Sequence, residues 1–118
     1  MTVYAVQSPR HRQHGQMVPK YDLAPAEEFG EVVELLSPTA KPFNPKPLID
    51  ELYVKLEKFS DDDHIICIGN PILLSMAVTI ASDVNNGRVK LLQWHGHQGK
   101  YISVQVDMGF TSASDEAM

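Results

Sequence analysis

The chain has 118 residues, 43% of them hydrophobic and 21% charged, with a formal net charge of −5. That is the size and composition of one globular domain, and the acidic balance argues against a general nucleic-acid binder, which gains affinity from a basic face through counterion release. The single Cys67 excludes an internal disulfide and a cysteine-based zinc site; the start "MTVYAVQSPRHRQHG" lacks the apolar core of a signal peptide, and no apolar run approaches membrane-spanning length. The expectation is a soluble, cytoplasmic protein with no membrane association.

In chain order, "TVYAVQ" reads as a short strand closed by Ser8-Pro9, and the polar "RHRQHG" as a loop. "MVPKYDL" is a candidate second strand, with Pro19 demanding an edge position or a bulge. "APAEEFG" has Pro25 at a first helical position and Gly30 at a left-handed stop, so it reads as one or two helical turns. "EVVELLS" is a strand, and "PTAKPFNPKP" is proline-rich and extended. In "LIDELYVKLEKF" the apolar residues at 48, 49, 52, 53, 56 and 59 have helical spacing. "HIICIG" is apolar throughout, as a strand buried on both faces is.

The next helix carries the plainest signals. Asn70 caps it, Pro71 takes its first position, and Asn86-Gly87 ends it. Its apolar face runs through Ile72, Leu73, Met76, Ala77, Ile80, Ala81 and Val84. After it, "RVKLLQWHGHQGKYISVQVDM" alternates apolar and polar on both sides of "HQGK" and reads as a hairpin. A turn at Gln98-Gly99 sets 95 opposite 102, 93 opposite 104 and 91 opposite 106, with Val89, Leu91, Ile102, Val104 and Val106 on one face and Trp94 and Tyr101 on the other. Residues 109–118 read as a disordered tail after a single domain over 1–108.

Strand, helix, strand, helix, strand through the middle calls for right-handed crossovers between parallel strands. The expected fold is a small α/β sandwich: a mixed sheet of five or six strands, "HIICIG" central, a C-terminal hairpin, two main helices and one short one. Ile66, Ile68, Leu73, Ala77, Leu91 and Val104 are the expected core. If both helices share one face, the other carries Leu92, Trp94 and Tyr101 and needs a cover. A homodimer through those three residues is one solution; the N-terminal segment is the other.

Two places are candidates for chemistry. Strand-to-helix turns lie at the carboxyl edge of a parallel sheet, where ligands commonly bind. Gly69 and Asn70 stand at such a turn, Ser37 and Thr39 follow the preceding strand, and the N–H groups after Asn70 form a weak anion site. The bland reading is a cap pair with no ligand, since no GxGxxG or GxxxxGK[ST] pattern is present. His95 and His97 alternate on a strand and form half of a possible metal site, with His11 and His14 as completing ligands; a polar turn without a metal explains them equally. Asp61, Asp62 and Asp63 belong to the opposite edge and read as a solvated turn, with His64 beside them as a surface residue of raised tendency to protonate. Cys67 reads as an inert core thiol. No cofactor is implied, and no nucleophile, base and orienting residue can be assembled.

The stretches "YDLAPAEEFGEVVELL", "FSDDDHIICIGNPILLSMAVTIASDVNNGRVKLLQWH" and "GKYISVQVDM" resemble a group of small uncharacterised proteins encoded by tailed bacteriophages, over about Val18 to Met108. The "FSDDD…IGNP" junction and "NNGRVKLLQW" are the most distinctive words. Members often carry an acidic residue after the positions of Gly69 and Trp94; here Asn70 and His95 stand there, which weakens a charged site at either place. The resemblance implies a viral accessory protein in the infected bacterial cytoplasm. Two functions fit: binding of a host or phage protein without catalysis, or a small nucleotide- or anion-binding domain, hydrolytic or not, built on the Gly69-Asn70 turn.

Overall fold

A computed structural model describes residues 1–19 and 21–109. Among these, seven strands and two α-helices appear in the order β1 (Thr2–Ala5), β2 (Arg10–Gln13), β3 (Gln16–Pro19), a 3₁₀ segment (Ala24–Phe29), β4 (Glu31–Glu34), α1 (Pro45–Lys55), β5 (His64–Ile66), α2 (Pro71–Val84), β6 (Arg88–His95) and β7 (Lys100–Asp107). Five strands form a mixed sheet in the order β4-β1-β5-β6-β7, with β4, β1, β5 and β6 parallel and β7 antiparallel at the edge. β5 is the central strand, as the continuous apolar run implies. Residues 110–118 of the expected disordered tail lie outside the described residues.

Handedness explains which face each connection covers. The crossovers through α1 and α2 both run from the β4 side towards the β7 side, so a right-handed path puts both helices on one face. The connection from β1 to β4 runs the other way, and the same rule sends it to the opposite face. The cores follow suit. On the helix face Leu52, Leu56 and Phe59 join Leu73, Ala77, Ile80 and Ala81 over Val6, Ile65 and Val89. On the other face Ala26, with Leu23 and Phe29 packed beside it, covers Val3, Ala5, Ile66, Ile68 and Leu92. The N-terminal segment is therefore the cover, short as it is.

α2 starts as its sequence dictates: the Asn70 side chain accepts from the N–H groups of Ile72 and Leu73, and Pro71 needs no partner there. At the far end Gly87, at φ 86°, donates to the Ser82 carbonyl and closes the last turn. α1 begins earlier than its apolar spacing suggests. Pro45 and Pro47 of the expected extended stretch lie in its first turn, where the missing N–H groups cost nothing.

Two strand expectations need correcting. "RHRQHG" is not a loop: Arg10–Gln13 pairs antiparallel with Gln16–Pro19 around His14 and Gly15, both at positive φ, the backbone of a tight hairpin turn. β2 is exposed along its whole length, so no hydrophobic alternation marks it. In the C-terminal hairpin His95 faces Lys100, Gln93 faces Ile102 and Leu91 faces Val104. The turn spans Gly96 to Gly99, with Gln98 and Gly99 donating back to the His95 carbonyl. The register differs from the expected one by two residues, an even slip, so every side chain keeps its expected face.

Of the expected core, Ile66, Ile68, Leu73 and Ala77 are buried, whereas Leu91 is half-buried and Val104 is 47% exposed. Val104 lies on the edge strand, and α2 packs over β6 rather than over β7. Asp63 and His64 depart furthest from their expected places at the surface. Asp63 is buried and accepts from the N–H groups of Thr2 and Ser60 at 2.9 and 3.0 Å and from the Ser60 hydroxyl. It ties the chain start to the α1–β5 turn. His64 is buried against Phe29, with ring centroids 5.3 Å apart, and its Nε2 bonds the Ser103 hydroxyl at 3.1 Å. Its Nδ1 is buried and has no hydrogen-bond partner among the described residues.

Burial, and secondly the Lys90 ammonium, hold the His64 imidazolium pKa below its ordinary 6.5, with Asp63 opposing. The folded state thus prefers the neutral ring. The resulting stability is complete above the unfolded-state value near 6.5 and is lost as pH falls from there through the lowered folded-state value. Urea unfolding between pH 7.5 and 5 is expected to show this fall, and His64→Gln to flatten it relative to wild type.

Candidate functional site

The order β4-β1-β5-β6 reverses direction between β1 and β5, and the carboxyl ends of those two strands flank the place where open α/β sheets usually bind ligands. The structure brings Ser37, Gly69 and Asn70 to this edge, as expected, with Thr39 beside Ser37. What lies between them is a side chain. Gln7, which follows β1 and is 5% exposed, points its amide nitrogen at the carbonyls of Ser37, Pro38 and Ala40 at 3.3, 3.5 and 3.3 Å. Its Oε1 accepts from the Asn70 N–H at 3.1 Å. The Ser37 and Thr39 hydroxyls bond each other at 2.9 Å.

The donors that make a helix start attractive to anions are consequently engaged. Asn70 N–H serves Gln7, and those of Ile72 and Leu73 serve the Asn70 side chain at 2.9 and 3.3 Å. An anion must displace Gln7 or Asn70 to be held here. Gly69 sits at φ 99°, and a Cβ on it would stand 3.1 Å from Gln7 Cγ. The glycine therefore admits Gln7. Replacing Asn70 with alanine is expected to cost about 1 kcal/mol through loss of the cap, read as a lower urea midpoint at unchanged slope.

On the opposite side of the same edge, the face under the 3₁₀ segment, the chain forms a cleft of about 420 Å³. Ile68 and Cys67, just past β5, and Tyr101 lie towards the sheet; Tyr21 and Asp22 come from the lead-in to the 3₁₀ segment and Pro25 from its first turn. Trp94 stands beside them, 47% exposed, its ring 5.0 Å from that of Tyr101 in an edge-on contact. A second hollow lined by Ser8, Tyr21, Asp22 and Leu23 continues it towards β1.

The cleft is aromatic and negative. Asp22 lines it, and burial, then the negative charges of the Asp22 carboxylate and the ionised Tyr21 hydroxyl, push the Tyr101 hydroxyl pKa up. Among the described residues none that lines it is cationic. Burial also pushes the Cys67 thiol pKa up, which keeps it protonated and unlike an activated nucleophile.

Of the expected interface residues, Leu92 is fully buried and Tyr101 4% exposed, so Trp94 alone of the three offers substantial surface. The His95 and His97 rings lie 6.2 Å apart, with His97 in the turn rather than on the strand. His11 and His14 belong to the β2–β3 hairpin. Among the described residues no group of three or more His, Cys, Asp or Glu side chains is arranged to hold a metal ion. Sequence reasoning passed over Gln7, Tyr21 and Asp22: "YDL" looks like the end of a strand, but β3 stops at Pro19 and frees it to form a wall.

Comparison with protein families matches residues 1–108 to the Phage Pam3 gp32-like protein family. The chain belongs to that family. It is accordingly a bacteriophage protein, in keeping with the resemblance noted in its sequence. Neither the curated proteins nor the solved structures give a match. In this Pam3 gp32-like chain, among the described residues, no helix is long and apolar enough to cross a membrane.

Proposed function

We propose that the protein is a non-enzymatic phage accessory protein that binds another protein in the infected bacterial cytoplasm, using the cleft at Trp94 to take a basic side chain of a host or phage partner. The observation that carries this reading is the half-exposed Trp94 set beside Tyr101, Tyr21 and the Asp22 carboxylate. Tryptophan is the residue most enriched at the anchoring points of interfaces. An aromatic face next to a carboxylate suits a guanidinium or ammonium, which gains from the ring quadrupole and the opposite charge together. The net charge of −5 favours the approach of a basic partner. The alternative, a nucleotide or other anion at Gly69-Asn70, must first break the contacts that Gln7 and Asn70 already make.

Trp94 is the sole tryptophan of the chain, so its fluorescence reports on this cleft. Titration with a short arginine-rich peptide is expected to change the emission saturably, with affinity falling as salt rises and at least tenfold weaker in Asp22→Asn. A glutamate-rich peptide of the same length is expected to give no change. Affinity capture from infected cells should recover a partner with the wild type that is lost with Trp94→Ala. Thermal stabilisation by nucleotides or phosphate, with no response to the basic peptide, would overturn the proposal.

A further inference from the structure

The two edges of the main sheet are unlike. β4 has four residues, begins and ends with glutamate, and Glu34 lies 3.9 Å from the Arg10 guanidinium. Short length and charge are the usual protections of a sheet edge. β7 has eight residues, from Lys100 to Asp107, with no proline, glycine or bulge, and no charge from Tyr101 to Val106. Among the described residues α2 packs over β6 rather than over β7, which leaves the helix-side residues Ile102 and Val106 half-buried and Val104 47% exposed. A long, regular, apolar edge of this kind is a template for another strand.

We propose that two copies of this chain pair through β7 in antiparallel fashion about a two-fold axis, joining their sheets into one. Hydrogen-bonding geometry and side-chain pattern agree on how. The Met108 N–H donates to the Gly87 carbonyl, which continues the β6–β7 ladder by one pair. By the alternation of antiparallel ladders, residues 102, 104 and 106 bond inward to β6, and Tyr101, Ser103 and Gln105 direct their N–H and C=O groups outward.

The pattern also selects the register. With Val104 on the axis, Val104 faces Val104, and Ile102 of each copy faces Val106 of the other. Three apolar pairs then form one row on the helix face. Ser103 faces Gln105 on the other face, and no charge meets its like. A register centred on Ser103 instead sets Val106 against Lys100. Such a contact uses the same patch on both copies, as closed two-fold dimers do.

A strand edge alone buries less than the roughly 800 Å² per partner of a typical stable complex. Beside the row lies an apolar groove of about 500 Å³, to which Val78, Leu91, Val106 and Met108 contribute. It extends the contact surface on the same side. The cleft at Trp94 opens on the other face of the sheet, so the pairing is independent of the proposed partner site and presents two copies of it.

Light scattering over a range of concentrations is expected to give twice the chain mass. Val104→Lys should shift it to the single mass, and so should Gln105→Pro, which removes an N–H that β6 does not use. Trp94→Glu should leave the dimer intact. Circular dichroism and a cooperative urea transition establish that each variant is folded. In a Cys67→Ser background, which has no other thiol, Val104→Cys should cross-link to itself under mild oxidation. Facing residues at a non-hydrogen-bonded pair have Cα atoms about 4.5 Å apart, within disulfide reach. Ser103→Cys should cross-link far more slowly. A monomer at every concentration, or a dimer that survives both β7 variants and dissociates with Trp94→Glu, would overturn the proposal.

Discussion

Truncating Ile66 to alanine is expected to lower the unfolding free energy by about 2–5 kcal/mol, the range for removing a fully buried isoleucine from a packed core. Ile66 is 0% exposed. It lies on the central strand, paired in register with Ala5 of β1 and Leu92 of β6. Its side chain belongs to the smaller core, with Val3, Ala26 and Leu92. That core is closed by a six-residue 3₁₀ segment, but the strands on both sides of Ile66 are held in register, so their backbones cannot close into the space left behind. The upper half of the range is therefore the expectation. Equilibrium urea unfolding gives the number, with an unchanged slope showing that two-state behaviour is preserved. A loss under about 1 kcal/mol would mean that the 3₁₀ segment is not a firm cover and that this face lies open.

The centrality of that strand is legible without coordinates, because five apolar or small residues in a row, Ile65 to Gly69, leave no polar face to turn to water. α2 is legible for a different reason: its start and stop signals, Asn70-Pro71 and Asn86-Gly87, act within one turn. What fails to show is whatever depends on partners far along the chain. His64 follows three aspartates and looks solvent-facing, yet Phe29 and Ser103 bury it from 35 and 39 residues away. The hairpin register hinges on how many residues the turn uses, and with glycines at 96 and 99 the local pattern allows more than one answer. β2 carries no hydrophobic alternation because all four of its residues are exposed. At the carboxyl edge, sequence correctly brings Ser37, Gly69 and Asn70 to one place. It gives no sign that Gln7 occupies the space among them, since a glutamine after a strand has no signature of its own.

Gln7→Glu is the second large effect expected, and it tests whether that edge is a filled structural joint. The substitution keeps the shape and replaces an amide donor with a carboxyl group. Ionised, the group would point at the carbonyls of Ser37, Pro38 and Ala40 that the amide now serves. Buried at 5% exposure, it has little water to turn to. The folded state will therefore hold it protonated, with a pKa raised above the ordinary value of about 4.3. Protonating such a group at pH 7 costs at most about 4 kcal/mol, and the acid still offers one donor where the amide offers two, for a further loss of about 1 kcal/mol. A raised acid pKa penalises the fold wherever the unfolded chain is ionised. The deficit against wild type should thus be about 3–5 kcal/mol at pH 7 and shrink steadily as pH falls towards 4.5. Because His64 is present in both proteins, its own acid-linked loss cancels in the difference. Gln7→Met serves as the control: it leaves the same carbonyls and the Asn70 N–H unpaired, so its cost should not vary with pH. A Gln7→Glu protein as stable as wild type at pH 7 would show that the edge is open to water, and would restore Gly69 and Asn70 as a place where a ligand can enter.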